Sequence, residues 1–408
     1  MAIPSLAMIP SGYKDGKVYS VLPSNGDGYF TFSRGSSATR VNKDGLIEVL
    51  AFDIPRLDYT DGSCPSLLLE PQSTNLVTYS EDFSDSSWLN VAQGSGSAAV
   101  VTDNYAISPD GTQNASRLQC DLNGGVTSSA NQSLIANVYS NSGNQTISVY
   151  LKSNKGQNQT IYFANTQTSG DTVTITSEWQ RFEFSHNTSN YVLAVGLRGR
   201  SGGAIDDAAD ILIWGAQAEQ QSYPTSYIPT NGTTVTRAAE TANGSGDAAT
   251  FNDSEGVLMF ESSSLLNNGS DTRISISDGT VSNRIEFSYG NGNNQIYVLI
   301  NIGGTPILYT VTEALSNLSE FKKFAFKIKS GDSGFYINGF KVLTSTTTFT
   351  NYTMSELKFT NTTDAIPFYG NTKQIQYYNS ALTDSELEEL TSWESFLEMA
   401  EGQQYKIK

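Results

Sequence analysis

The sequence predicts an all-β chain: an N-terminal β arm region, then two tandem antiparallel β-sandwich domains, then a short C-terminal helix. Three observations carry that expectation. Only 16% of the residues are charged, and 35 glycines sit among abundant Ser, Thr and Asn, which suits strands with uncharged polar faces and tight turns. Runs of β-branched and aromatic residues are short and recur with Gly, Asn, Asp or Ser between them, the cadence of a sandwich. A convincing helical period is found only near the C-terminus. A chain of 408 residues is also too long for one ordinary domain.

Residues 1–77 form the opening region. Tyr13-Lys-Asp-Gly-Lys-Val-Tyr-Ser-Val-Leu-Pro23 reads as a short strand pair or arm, and Tyr29-Phe-Thr-Phe-Ser-Arg34 as a half-buried strand. Arg40-Val-Asn-Lys-Asp-Gly-Leu-Ile-Glu48 reads as a hairpin, with Lys43-Asp44-Gly45 supplying the turn. Residues 78–236 form the first sandwich. Tyr79-Ser-Glu-Asp-Phe83 and Trp88 open it, and strands are expected near 98–102, 115–120, 146–152, 160–165, 172–176, 181–185, 191–197 and 210–216. Tyr223-Pro224 and Ile228-Pro229 favour an extended exit. A polar linker over 237–252 leads to the second sandwich, 253–408. There strands are expected near 256–262, 272–277, 283–289, 294–302, 307–309, 320–329, 333–338 and 341–343, the last two joined by the hairpin turn Asn338-Gly339. Thr383 with Glu386 makes a capping box that opens a helix from Asp384 to about Ala400. Leu387, Leu390, Trp393 and Leu397 put one apolar stripe on that helix.

Several of these segments carry a family resemblance. Ile211-Leu-Ile-Trp-Gly-Ala-Gln-Ala-Glu219, with Ser226-Tyr-Ile-Pro-Thr230 and Val235-Thr-Arg-Ala-Ala-Glu240, resembles the last strand and exit of the carbohydrate-binding-like jelly roll of bacteriophage tail-fibre and head-spike proteins. Ala38-Thr-Arg-Val-Asn42, Pro55-Arg-Leu-Asp-Tyr59 and Leu69-Glu-Pro-Gln-Ser-Thr-Asn-Leu76 resemble the opening of phage virion proteins with such modules. Ser148-Val-Tyr-Leu-Lys152 and Ser177-Glu-Trp-Gln-Arg-Phe-Glu-Phe184 are similar to the paired middle strands of carbohydrate-binding jelly rolls. The segment from Gly370 to Leu387 resembles the last strand and turn of the concanavalin A-like, laminin-G-like family. The resemblance implies a virion protein: attachment to other virion proteins through residues 1–77, outward-facing sandwiches that contact host cell-surface glycan, and a homo-oligomer, with a trimer favoured. Residues 1–10 and the stripe Leu387, Leu390, Leu397 are the expected subunit or virion contacts.

The residues bound the chemistry. A net charge of −17 disfavours nucleic acid as a partner. Residues 1–10 are apolar but lack a basic start and contain two prolines, so neither a signal peptide nor membrane insertion is expected. Cys64 and Cys120 read as free thiols. The single histidine, His186, reads as a turn residue, and no nucleophile elbow surrounds it. Glycosidases need two carboxylates facing one cleft. Glu286 and Glu183 stand alone on their strands, and Glu255 with Asp253 lies at a linker edge, so no enzymatic activity and no cofactor are expected. Asp206, Asp207 and Asp210 are candidate calcium ligands, because calcium takes several oxygen ligands from a loop. Sugar rings stack on aromatic faces. Tyr289, Tyr297 and Tyr377 are therefore the glycan-stacking candidates, with Tyr309, Tyr352, Tyr378, Tyr139, Tyr150 and Tyr191 behind them. The expected function is a non-enzymatic phage tail-fibre, spike or head-fibre component. The alternatives are a phage depolymerase or endoglycosidase on a concanavalin A-like fold, or a bacterial surface adhesin.

Overall fold

The computed structural model describes residues 2–139, 143–164, 171–187, 192–265, 270–290, 294–312 and 317–392. The chain is all-β with one helix among these residues, Asp384–Ser392, as the composition implied. That helix is far too short to cross a membrane. The chain divides into two compact units, and both are discontinuous in sequence. Unit 1 comprises Met1–Ser36, Leu50–Pro71 and Ala239–Lys408; unit 2 comprises Ser37–Val49 and Gln72–Ala238.

Unit 2 is a sandwich of two five-stranded antiparallel sheets. One runs in the order Trp88–Gln93, Gln132–Val138, Val192–Arg198, Gln159–Ala164, Asp171–Ile175. The other runs Val100–Ala106, Ala115–Asp121, Ala208–Glu219, Asn144–Ser153, Gln180–Asn187. Alternation puts Ile135, Ile161, Phe163, Leu193, Val195 and Leu197 of the first sheet into a shared core with Ile147, Val149, Leu151, Ile211 and Ile213 of the second. The segments around Ser148 and Arg181 are paired neighbours, Tyr150 opposite Arg181. Trp214 lies on the far face of the second sheet, buried with Ile47, Ala115 and Tyr227, its ring 4.6 Å from that of Tyr227. Gly215 follows at φ +64°, where the pairing register with Asn144–Ser153 shifts by a bulge. Only glycine takes that conformation without a Cβ penalty, which explains the Trp-Gly pair.

Unit 1 faces an eight-stranded sheet against a five-stranded one. The eight-stranded sheet contains Glu255–Ser264, Lys322–Lys329, Ser333–Ile337, Phe340–Ser345 and Gly370–Tyr378 from the C-terminal half, extended by Leu6–Met8, Arg56–Asp58 and Ser66–Leu69. The smaller sheet runs Thr305–Thr312, Ile296–Ile302, Arg284–Tyr289, Thr272–Ser277, Glu356–Lys358. Phe260, Phe287, Phe324, Phe326 and Phe335 fill the space between. Asn338 at φ +46° and Gly339 at φ +86° make the anticipated hairpin turn. The capping box forms: Thr383 N donates to Glu386 Oε2 at 2.9 Å and Glu386 N to Thr383 Oγ1 at 3.3 Å. Leu387 and Leu390 pack on Val257, Met259, Ala325 and Tyr336, the outer face of the large sheet.

Three expectations differ from this fold. Residues 1–77 are no separate region, because Leu6, Met8, Leu67 and Leu69 are core side chains of unit 1 while residues 37–49 and 72–77 belong to unit 2. Residues 237–252 are no free linker. Val235–Arg237 pairs with Ser73–Asn75, Thr241–Asn243 pairs with Phe30–Ser33, and Glu240 is fully buried between Arg34 and Arg56. Of the expected contact segments, Leu6, Ala7, Met8, Leu387 and Leu390 are packed within their own chain, whereas Ile3 is 74% exposed. Trp393 and Leu397 lie outside the described residues.

Candidate functional site

Because the core takes one side of each strand in unit 2, the other side of the first sheet is set by register. The even-numbered positions of Gln132–Val138, Val192–Arg198 and Gln159–Ala164 share that outer face, together with Leu89, Val91 and Gln93. They line a cleft of about 260 Å³. Its floor is apolar and finely stepped: Leu134, Ala136 and Ala194 are nearly inaccessible, whereas Leu89 and Val138 stand 51% and 57% exposed at its edges. Gly196 sits opposite Leu134, and a Cβ there would lie 2.6 Å from the Leu134 Cα. The close approach of those two strands therefore demands glycine.

One end of the cleft is polar. Register places Gln93 opposite Gln132 and Gln132 opposite Arg198, so two amides and a guanidinium form one row across three strands. Arg198 is aimed by its neighbours: Nη1 donates to Tyr162 Oη at 3.3 Å, Nε donates to the Ser129 carbonyl at 3.3 Å, and the guanidinium lies 5.6 Å over the Tyr162 ring. Stacking on a tyrosine holds a guanidinium in one plane. Among the described residues no carboxylate and no imidazole lines this cleft.

The residues singled out from sequence lie elsewhere. Tyr289 and Tyr377 are buried in the unit 1 core, Tyr289 bonded through its hydroxyl to the Ser262 carbonyl at 2.8 Å and Tyr377 edge-on to Phe251 at 4.9 Å. Neither ring has a free face, because alternation put them on the core side of their strands. Tyr352, Tyr378 and Tyr139 are likewise buried, Tyr150 is half-buried against Trp214, and Tyr191 lies outside the described residues. Tyr297 differs. It is half-buried on the outer face of the smaller unit 1 sheet, under the Arg273 guanidinium at 5.1 Å and edge-on to the 61% exposed Tyr309 at 5.7 Å.

Asp206, Asp207 and Asp210 do not converge. Asp206 accepts from Thr160 N at 3.0 Å, Asp207 from Gly124 N at 2.7 Å, and Asp210 holds Arg117 in a fork at 2.8 and 2.6 Å. The hydrogen bonds from Arg117 hold the Asp210 carboxyl below its usual range. Among the described residues no three acidic, Cys or His side chains gather as metal ligands. Glu286 is buried against Arg273 and Arg284 at 3.3 and 3.4 Å, whereas Glu183 is exposed and Glu255 half-buried. His186 is a strand residue opposite Gln145 rather than a turn residue, and its side chain lies outside those described. Gln93, Gln132, Leu134 and Arg198 were not picked out from sequence. The signal available was the apolar run Val192–Leu197 ending at Arg198, which is buried on both faces and so shows no alternation.

No protein-family model matches the sequence, and no curated protein matches it. Parts of the chain are similar to solved structures. The Ruminococcus gnavus IT-sialidase CBM40 bound to alpha2,3 sialyllactose is 16% identical with a TM-score of 0.31, over 36% of this chain and 92% of that one. Domain 4 of AbnA, an extracellular arabinanase from Geobacillus stearothermophilus, in complex with arabinotriose, is 17% identical with a TM-score of 0.29, over 38% and 73%. The N-terminal CBM22-1-CBM22-2 tandem domain of Paenibacillus barcinonensis Xyn10C is 13% identical with a TM-score of 0.25, over 77% and 100%.

Proposed function

We propose that this chain is a non-enzymatic glycan-binding structural component of a bacteriophage particle, and that the unit 2 cleft holds the saccharide. The observation that carries the binding half is the pairing, on one sheet face, of an apolar floor with the row Gln93, Gln132, Arg198. A pyranose presents an apolar C–H face and a hydroxyl rim, and that division matches the floor and the row. The amides can donate and accept with hydroxyls, and the guanidinium fork suits a carboxylate or paired hydroxyls. The described lining offers a bound glycoside no carboxylate or imidazole for acid–base work, which supports holding rather than cleavage. The virion half is supported by the quoted resemblance of the segments around Arg40, Arg56, Glu70 and Glu219.

A cleft this small gives weak affinity, which a fibre or spike would multiply by presenting several copies. A closed homo-oligomer, most simply a trimer, serves that need. Attachment through residues 1–77 has the exposed Ile3, Val21, Val49 and Phe52 to use, since Leu6 and Met8 are buried. Calorimetric titration tests the binding half. Trigalacturonate should bind more tightly than neutral maltotriose, and Arg198→Ala should abolish that preference without moving the melting temperature. Absence of binding by both sugars, or an unchanged preference in the variant, overturns it. Mass spectrometry of purified particles tests the virion half, which fails if the chain is absent from them.

A further inference from the structure

We propose that unit 1 carries a second ligand site, independent of the cleft: a pocket of about 690 Å³ built around Glu261 that takes an amino sugar. The outer face of the large sheet is apolar where the helix Asp384–Ser392 covers it and turns polar beyond. There Tyr378 Oη donates to Gln376 Oε1 at 2.8 Å, Gln376 Nε2 to Gln374 Oε1 at 2.7 Å, and Gln374 Nε2 to Glu261 Oε2 at 2.9 Å. Each donor points the same way, so the relay ends on the Glu261 carboxylate. That residue is 3% exposed and lines the pocket.

Its second oxygen accepts no hydrogen bond among the described residues: Lys373 Nζ stands 3.8 Å away, and Lys323, opposite Glu261 in the register, adds a second positive charge. Lys373 is also drawn to the face of Phe321, 4.0 Å from the ring centroid. A carboxylate offers about four acceptor positions, and a buried one with most of them empty calls for donors. Burial lifts the Glu261 carboxyl above its usual value, with Gln374, Lys323 and Lys373 opposing. Asp61, on the same wall as Tyr59 and Cys64, is lifted by desolvation as well, with Lys373 opposing. The pocket lining thus presents two carboxylates and one ammonium that both share, Lys373, while Lys323 faces Glu261 from the neighbouring strand without lining the pocket. Its complement brings hydroxyl and ammonium donors on a ring with an apolar face, which is a hexosamine. An anionic sugar meets two like charges.

Cys64 makes the site directly readable. It is exposed at the pocket, whereas Cys120 is buried and its thiol is pushed up to about 12 by desolvation, so iodoacetamide should alkylate only Cys64 on the native protein. The rate of Cys64 alkylation, read by mass spectrometry, is measured with the glucosamine trimer, maltotriose, trigalacturonate and spermidine at millimolar concentration. Saturable protection by the glucosamine trimer is expected, with none from trigalacturonate or spermidine and far weaker protection from maltotriose. The near-isosteric Glu261→Gln should raise the half-protecting concentration about tenfold, or roughly 1.4 kcal/mol. Should that variant not fold, Asp61→Asn on the exposed loop is read the same way and should weaken protection several-fold. Arg198→Ala should leave Cys64 protection unchanged, which separates this site from the unit 2 cleft. No protection by the glucosamine trimer, equal protection by spermidine, or unaltered protection in the folded carboxylate variants overturns the proposal.

Discussion

Arg56 shows what the recurrent polar residues of this chain do. It is fully buried, and Glu240 and Glu70 hold its guanidinium above the ordinary value although burial alone would lower it. Arg34 joins the same cluster through Glu240 at 2.8 Å and caps the carbonyls of Ile54 and Ala51 at 2.9 and 2.6 Å. In unit 2, Asn75 donates to the Ala216 and Ile228 carbonyls at 3.1 and 2.8 Å, and Glu219 accepts from Ser73 Oγ at 2.6 Å and Thr225 N at 2.9 Å. The motifs that carried the resemblance are therefore buried polar pins. Their presence was legible in the sequence, but their burial was not, because Arg34 and Glu240 are 206 positions apart. Removing one partner from a buried ion cluster strands the others. Glu240→Gln should cost about 3–5 kcal/mol in urea unfolding, because it removes the charge that the two buried guanidiniums of Arg34 and Arg56 share. A loss under about 1 kcal/mol would mean that water reaches the cluster. Tyr289 and Tyr377 proved to be core residues for a related reason. Alternation told which residues share a face, and not which face was the core.

At the scale of elements, the strand that floors the cleft was among those missed. Gln132-Ser-Leu-Ile-Ala-Asn-Val138 is buried on both faces, Leu134 and Ala136 toward the cleft and Ile135 toward the core, so its sequence shows no alternation. Ala and Asn also lower its strand propensity. Gly196→Ala should push that strand away and lower stability by about 1–3 kcal/mol, measured by thermal unfolding, since no side chain can yield to a clash with backbone. The helix was legible because its signals are local: the Thr383–Glu386 box and the Leu387, Leu390 spacing both lie within one turn or two. Asp384 ties it down, accepting from Lys327 and Lys341 at 2.9 and 2.8 Å and from Tyr336 Oη at 2.7 Å. Those bonds from Lys341, Lys327 and Tyr336 hold its carboxyl well below the usual carboxylate range. A carboxyl lowered on folding stabilises above its unfolded value, near pH 4, and loses that contribution as pH falls through the folded one. Half of the side chain meets solvent, so screening limits the effect to about 1 kcal/mol. Asp384→Asn should destabilise by that amount at pH 7 and by progressively less below pH 4, with the difference measured by denaturant titration at both pH values.

For the molecule as a whole, strand cadence gave the all-β class and the hairpins, but not the way the N-terminal segments close both sandwiches. Pairings such as Leu6 with Tyr377 and Ser73 with Arg237 are long-range, and nothing local encodes them. A chain starting at Thr78 would lack Leu6–Met8, Phe30–Ser33, Arg56–Asp58 and Ser66–Leu69 of unit 1 and Ser73–Asn75 of unit 2. It should expose apolar surface and unfold without a sharp transition, and a cooperative melt at the full-length temperature would contradict the discontinuous units. The central claim, a saccharide seated on the apolar floor beside Arg198, is tested most directly by methyl-detected NMR of the full chain titrated with trigalacturonate. The account expects saturable shifts at the methyls of Leu89, Leu134, Ala136, Val138 and Ala194, lost in Arg198→Ala. Shifts confined to unit 1, or none at all while the sugar still binds, would contradict it.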